Sequence, residues 1–330
     1  MKKTLLLFII AVFAAIAVAC GSDSGKEEKT EPASTTTEEK SSGDAQKEES
    51  KNEEVTVKHQ LGETKVKKNP EKVIVFDFGT LDSLDKLGVE VLGIPKKNIP
   101  SYLSKYEDDK YENIGGLKEP DFEKIHELQP DLIIISGRQS DSYDEFTKIA
   151  PTIYMGVDTT NYMESFQENV NTLAEIFEKE DAAKEELAKI DDAVKELNDK
   201  ASASDKKALV ILANDGKVSA YGSQSRFGII HDVFGLKQAD ENIEATTHGQ
   251  SISFEYIVEK DPDYLFVIDR GAVVGGESSA KQVVENELVS NTKAVKEGNV
   301  IYLDPGYWYL SGGGLESVNA MIKEVSDAFQ

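Results

Sequence analysis

The sequence predicts an α/β fold of two Rossmann-like lobes with parallel sheets, joined by a single long backbone helix, with a ligand cleft between the lobes. Three observations predict it. The stretch from Phe122 to Arg138 recurs from Phe254 to Arg270, keeping Phe, Glu, Ile, Glu, Pro, Asp and Arg at matching places. Each copy reads as a short helix, a Pro-Asp turn, a buried strand and a loop that carries the arginine. Each copy is also flanked on both sides by further strand and helix patterns, the alternation that builds parallel sheets. Between the copies, Glu164 to about Lys200 is strongly helical in composition, with Phe166, Val170, Leu173, Ile176 and Phe177 at helical spacing.

Taken in order, Lys2 and Lys3 precede an apolar run from Leu5 to Ala19, which reads as a secretory signal over 1–19. That run falls short of a comfortable membrane span of about 20 residues. Cys20 is the only cysteine and sits where a bacterial lipoprotein is cleaved and acylated, although Ala17 stands where Leu is usual. A lone cysteine also excludes an intramolecular disulfide and a thiolate metal cluster. Residues 20–54 are then a lipidated cysteine and a polar tether with too little apolar surface to offset its ordering entropy. The N-terminal lobe, 55–160, opens with a hairpin (Val55, Val57, then Val66 across Gly62) and a buried strand, Val73 to Phe76. A helical pattern follows at Leu81, Leu84 and Leu87, then the first repeat copy and a strand from Thr152 to Val157. The backbone helix occupies 161–203. The C-terminal lobe, 204–330, holds a strand from Ala208 to Leu212, a helix from Phe227 to Phe234, the second copy and a strand from Asn299 to Leu303. A loop bearing Tyr307, Trp308 and Tyr309 leads through Gly312, Gly313 and Gly314 into the last helix.

The balance of 37 basic against 61 acidic residues in 330, a net charge of −24, argues against nucleic acid as a partner. Against that background the arginines stand out. Arg138, Arg226 and Arg270 are the only ones; all other basic residues are lysines. Arg138 and Arg270 follow buried strands directly, where ligand sites of open α/β sheets lie. Arginine offers a planar fork of donors suited to oxyanions. Either the three brace carboxylates within their lobes, or they form a basic cleft for an anionic ligand in an acidic protein. Trp308 belongs either to an aromatic core or to the ligand wall, and a phenol in its loop can bind a hard metal ion. The glycines there lack the Gly-Lys-Ser/Thr ending of a phosphate loop. His248 lies in a polar loop before the second copy; His59, His126 and His231 read as surface or satisfied residues.

The run of small residues before Cys20, the hairpin opening Val55-Thr56-Val57-Lys58-His59, the paired Phe-Glu-x-Ile…Pro-Asp segments and the ending Tyr307 to Gly314 cover nearly the whole mature chain. Together they resemble the siderophore-binding lipoproteins of Gram-positive iron ABC importers, the helical-backbone class of periplasmic-type binding proteins, in the branch that takes ferric petrobactin and related catecholates. The resemblance implies that Arg138, Arg226 and Arg270 hold the anionic ferric complex; Trp308 is expected beside them among the ligand-binding residues. It also implies that His248 and Tyr309 complete iron coordination when the ligand leaves sites open, Tyr307 being an alternative to Tyr309. Glu123 and Glu255, matching residues of the two copies, would dock the cognate permease; acids in a first helical turn are equally explained by the helix dipole. The expectation is a monomer, lipid-anchored at Cys20 on the extracellular face of the cell membrane, without cofactor and without enzymatic activity. No nucleophile–base pair or metal-hydrolase spacing is found. Haem, cobalamin, a hydroxamate siderophore or a free metal ion on the same fold are the alternatives.

Overall fold

The computed structural model describes residues 53–277 and 279–329. The expected signal peptide, Cys20 and nearly all of the tether lie outside the described residues. The described chain opens with an antiparallel hairpin of β1 (Glu54–His59) and β2 (Gly62–Lys67), whose Val55, Val57 and Val66 face inward and are buried.

The first lobe runs through β3 (Val73–Val75), α1 (Phe78–Lys86), β4 (Gly93–Ile94), β5 (Glu112–Asn113), α2 (Phe122–Leu128), β6 (Leu132–Ile135), α3 (Tyr143–Phe146) and β7 (Thr152–Tyr154). Its sheet has the order β5-β4-β3-β6-β7 and is parallel throughout. Strands β3 and β6 are unbroken runs of buried Val, Ile and Leu, as strands covered on both faces must be.

The connection between lobes is two helices, not the single one expected: α4 (Tyr162–Phe177) and α5 (Glu180–Ser202), separated where Glu178 adopts a left-handed conformation, φ 53°. The apolar stripe slips phase there. After Phe177 an unbroken helix would present Asp181, Lys184 and Ala188, yet the buried positions are Ala183, Leu187 and Ile190. The break lets each helix bury its own stripe. Helix α4 serves both lobes, giving Leu173, Ile176 and Phe177 to the first core and Phe166, Val170 and Ala174 to the second.

The second lobe comprises β8 (Lys207–Asn214), β9 (Lys217–Tyr221), α6 (Ile229–Asp232), β10 (Lys237–Gln238), β11 (Gln250–Ile252), α7 (Phe254–Lys260), β12 (Tyr264–Asp269), α8 (Gly271–Val274), α9 (Ala280–Val284), α10 (Lys293–Lys296), β13 (Val300–Leu303) and α11 (Leu315–Asp327). Its six-stranded sheet, β11-β9-β8-β12-β13 with β10 also beside β8, is parallel only in part: β9 pairs antiparallel with both β8 and β11. The cause is a tight hairpin turn in which Asp215 and Gly216 take positive φ of 48° and 78°. The expected helix from Phe227 to Phe234 is one short segment, α6.

The sequence repeat is a structural repeat. Helices α2 and α7 are capped at matching places, by Asp121 and Ser253, and end in left-handed residues, Gln129 and Asp261. Asp131 of the first Pro-Asp turn accepts the amides of Glu71 and Lys72; Asp263 of the second accepts that of Lys207. Each aspartate thus ties the end of its helix to the start of the neighbouring strand.

Candidate functional site

The carboxyl ends of the central strands position the site. In the first lobe the chain order reverses between β3 and β6, and Arg138 follows β6; in the second it reverses between β8, which ends in Asn214, and β12, which Arg270 follows. Such switch points open a crevice beyond the sheet. Arg226 arrives from a segment found only in the second lobe, after β9, where Ser225 Oγ bonds back to the Gly222 carbonyl and shapes the bend.

All three arginines meet at one residue. Arg138 reaches across from the first lobe and donates to the carbonyls of Tyr309 (2.7 Å) and Leu310 (3.2 Å). Arg226 donates to the same Tyr309 carbonyl at 2.5 Å and lies 4.2 Å from the centre of the Tyr309 ring. Arg270 donates through Nε to the Tyr309 hydroxyl and through Nη1 to Asn214 Oδ1, both at 2.8 Å. Among the described residues every ion pair to a carboxylate is made by a lysine and none by an arginine. The carboxylate-bracing alternative is thereby set aside.

Three like charges in one place have electrostatic consequences. Burial, reinforced by the neighbouring Arg138, draws Arg226 below the ordinary guanidinium value. Burial alone would raise the Tyr309 phenol, but the Arg270 hydrogen bond and the charges of Arg226, Arg270 and Arg138 outweigh it and hold the phenol below its usual value. The site therefore stabilises an oxyanion on an aromatic ring.

The turn carrying Tyr309 is one π-helical turn, Gly306–Ser311, rather than the loop expected. It sends neighbouring aromatics in different directions. Trp308, assigned to the ligand wall from sequence, is 3 % exposed, packs in the second-lobe core and donates its indole N–H to Glu324 Oε2 at 2.7 Å. Tyr307 lies against the Tyr102 ring, centroids 4.5 Å apart, and makes no bond to the arginines. Of the two candidate phenols, Tyr309 is the one the arginines hold. His248 is exposed in its loop, and Gly249 beside it backs so closely onto Tyr221 that a side chain there would collide with the ring. His59 bonds Thr64, His231 bonds the Leu236 carbonyl, and His126 is exposed on α2. Among the described residues no three His, Cys, Asp or Glu side chains gather as a metal site. Glu123 and Glu255 are both exposed, each in the first turn of its helix. Asn214 was not singled out from sequence; the Asn214-Asp215-Gly216 turn signal at the end of an apolar run marks it.

Residues 73–307 match the family model described as periplasmic binding protein. The petrobactin-binding protein YclQ of Bacillus subtilis is 57 % identical over the full length of both chains. Its crystal structure superposes with a TM-score of 0.83 at 61 % identity, covering 84 % of this chain and 99 % of that one. The periplasmic catecholate-siderophore binding protein VctP of Vibrio cholerae superposes with a TM-score of 0.80 at 37 % identity, over 83 % of this chain and all of that one. The ferric-anguibactin-binding protein FatB of Vibrio anguillarum is 34 % identical over 84 % of this chain and 88 % of its own. The resemblance drawn from the repeat and the aromatic ending is borne out.

Proposed function

The chain belongs to the periplasmic binding protein family, and from that premise we propose that it captures a ferric catecholate siderophore, petrobactin or a related complex, and delivers it to the permease of an iron ABC importer. The observation that carries this reading is the convergence of Arg138, Arg226 and Arg270, from both lobes, without a carboxylate partner among the described residues. The names of the similar proteins point to the same ligand class.

Catecholate oxygens carry charge on an aromatic ring, and the three guanidinium groups neutralise it in a half-buried cleft where charge-assisted bonds are strong. The ligand takes over donors that Tyr309 holds, and Asn214 keeps Arg270 aimed. Fe(III), the cargo, is a hard ion suited to phenolate oxygen, with imidazole as an acceptable further ligand. Tyr309, its phenol already lowered, and His248 serve complexes that leave iron sites open. No bond is made or broken in the protein. Acylation of Cys20 anchors the monomer on the extracellular face of the cell membrane, and Glu123 and Glu255, one per lobe, dock the permease.

Calorimetric titration with a ferric catecholate, a ferric hydroxamate, haem and zinc without chelator tests the ligand class. Tight binding of the catecholate alone is expected. Tight binding of any of the others with none of the catecholate rejects the reading.

A further inference from the structure

We infer that Asp82 and Tyr102 of the first lobe are positioning residues for the ligand site, holding from the opposite lobe the turn that carries Tyr309. The inference rests on the reading of Tyr309 as an iron ligand for complexes with open sites.

Asp82 sits in α1 among apolar residues and is 1 % exposed, and no lysine or arginine pairs with it among the described residues. Its two oxygens instead accept the amides of Glu316 and Ser317, each at 3.1 Å, in the first turn of α11; Ser83 Oγ accepts that of Leu315 at 3.1 Å. A helix of the first lobe therefore caps a helix of the second, and the carboxylate complements the positive end of α11. The contact is as close as backbones allow. A Cβ at Gly79 would lie 2.5 Å from the Gly312 carbonyl, and one at Gly314 would overlap the Asp82 carboxylate.

Tyr102 extends this clasp to the binding turn. Its hydroxyl donates to Asp82 Oδ2 at 2.9 Å and lies 2.6 Å from Ser311 Oγ, while its ring packs on Tyr307. The turn Gly306–Ser311 is thus gripped on either side of Tyr309 by one first-lobe side chain. Neither Asp82 nor Tyr102 bonds an arginine, and a bound ligand takes over the donors that Tyr309 holds, so loss of the clasp should misplace Tyr309 while the arginines still reach the ligand. A buried carboxylate with no counter-ion is costly, but an apolar residue in its place would leave the amides of Glu316 and Ser317 without an acceptor. The polar choice makes sense as a device for alignment.

Tyr102→Phe removes only the hydroxyl that joins Asp82 to Ser311. A ferric bis-catecholate needs Tyr309, whereas a ferric tris-catecholate has its iron sites filled and needs only the arginines. Fluorescence titration of the variant should show the bis-catecholate weakened about fivefold or more and the tris-catecholate changed less than about twofold. Equal losses for both complexes, or no loss for either, overturn the inference, because a merely structural role does not distinguish them. Amide hydrogen exchange of the protein alone is the independent arm. Exchange over residues 307–311 should rise about tenfold in Tyr102→Phe with β12 unchanged, reporting local rather than global opening. Unchanged exchange there overturns the inference whatever the ligand. A wild-type protein that binds neither complex overturns the siderophore reading instead, and the exchange result still decides the clasp.

Discussion

The two lobes share a frame and differ in what they hang on it. Each carries a capped helix, a left-handed exit, a Pro-Asp turn, a buried strand and then an arginine, with Arg138 and Arg270 at matching places. The first lobe adds little else to the cleft. The second inserts the β8–β9 hairpin, the bend bearing Arg226 and the π turn bearing Tyr309. The repeated frame thus places two arginines at matching points, and the second lobe alone adds the third and the phenol on which all three meet.

The comparison can be broken first at the lobe junction, which has no counterpart within either repeat. Burial pushes the Asp82 carboxyl up to about 7, against the amides of Glu316 and Ser317 and the Tyr102 hydroxyl, which favour its ionised form. The tyrosines influenced by it are Tyr102 in the same lobe, Tyr162 at the start of α4 and Tyr307 across the junction. A carboxyl raised in the folded state contributes stability that is complete below about pH 4 and is lost as pH rises through about 7. The difference in unfolding free energy between wild type and Asp82→Asn should therefore change by an amount on the order of 4 kcal/mol between pH 4 and pH 8. Urea unfolding at the two pH values measures it, and parallel profiles would remove Asp82 from the junction's energetics.

A smaller effect sharpens the shared frame. Asp131 accepts two backbone amides and Asp263 one, so Asp131→Ala should cost about 2 kcal/mol and Asp263→Ala about 1 kcal/mol. Thermal unfolding of the two variants checks the order; a reversed order would mean that the turns are equivalent in sequence alone. The smallest effect on binding is expected at the outer surface. Glu123→Ala and Glu255→Ala should leave siderophore affinity unchanged while lowering uptake of labelled iron by cells, and loss of affinity in either would place that residue in the cleft's support.

Much of this was legible in the sequence because it is local. The repeat, the buried strands and the scarcity of arginine follow from periodicity and composition, and they led to Arg138, Arg226 and Arg270. The break at Glu178 was hidden because helical composition continues through it, and only the slipped phase at Ala183 betrays it. The hairpin after Asn214 is marked by Asp215-Gly216, a turn that a wholly parallel sheet does not accommodate. Trp308 and Tyr309 are adjacent in sequence, and only the π turn, an unusual geometry, decides which faces the core. Asp82 could not be paired with Ser317 from sequence, since they lie 235 residues apart and nothing local links an acid in one helix to the start of another.

The most direct test of the account is a titration of the protein with a ferric catecholate, followed by Trp308 emission, for wild type and for Arg138→Ala, Arg226→Ala and Arg270→Ala. The account predicts saturable quenching in wild type and a loss of affinity of about tenfold or more in each variant, roughly 1.4 kcal/mol apiece. Unchanged affinity in all three variants would contradict it.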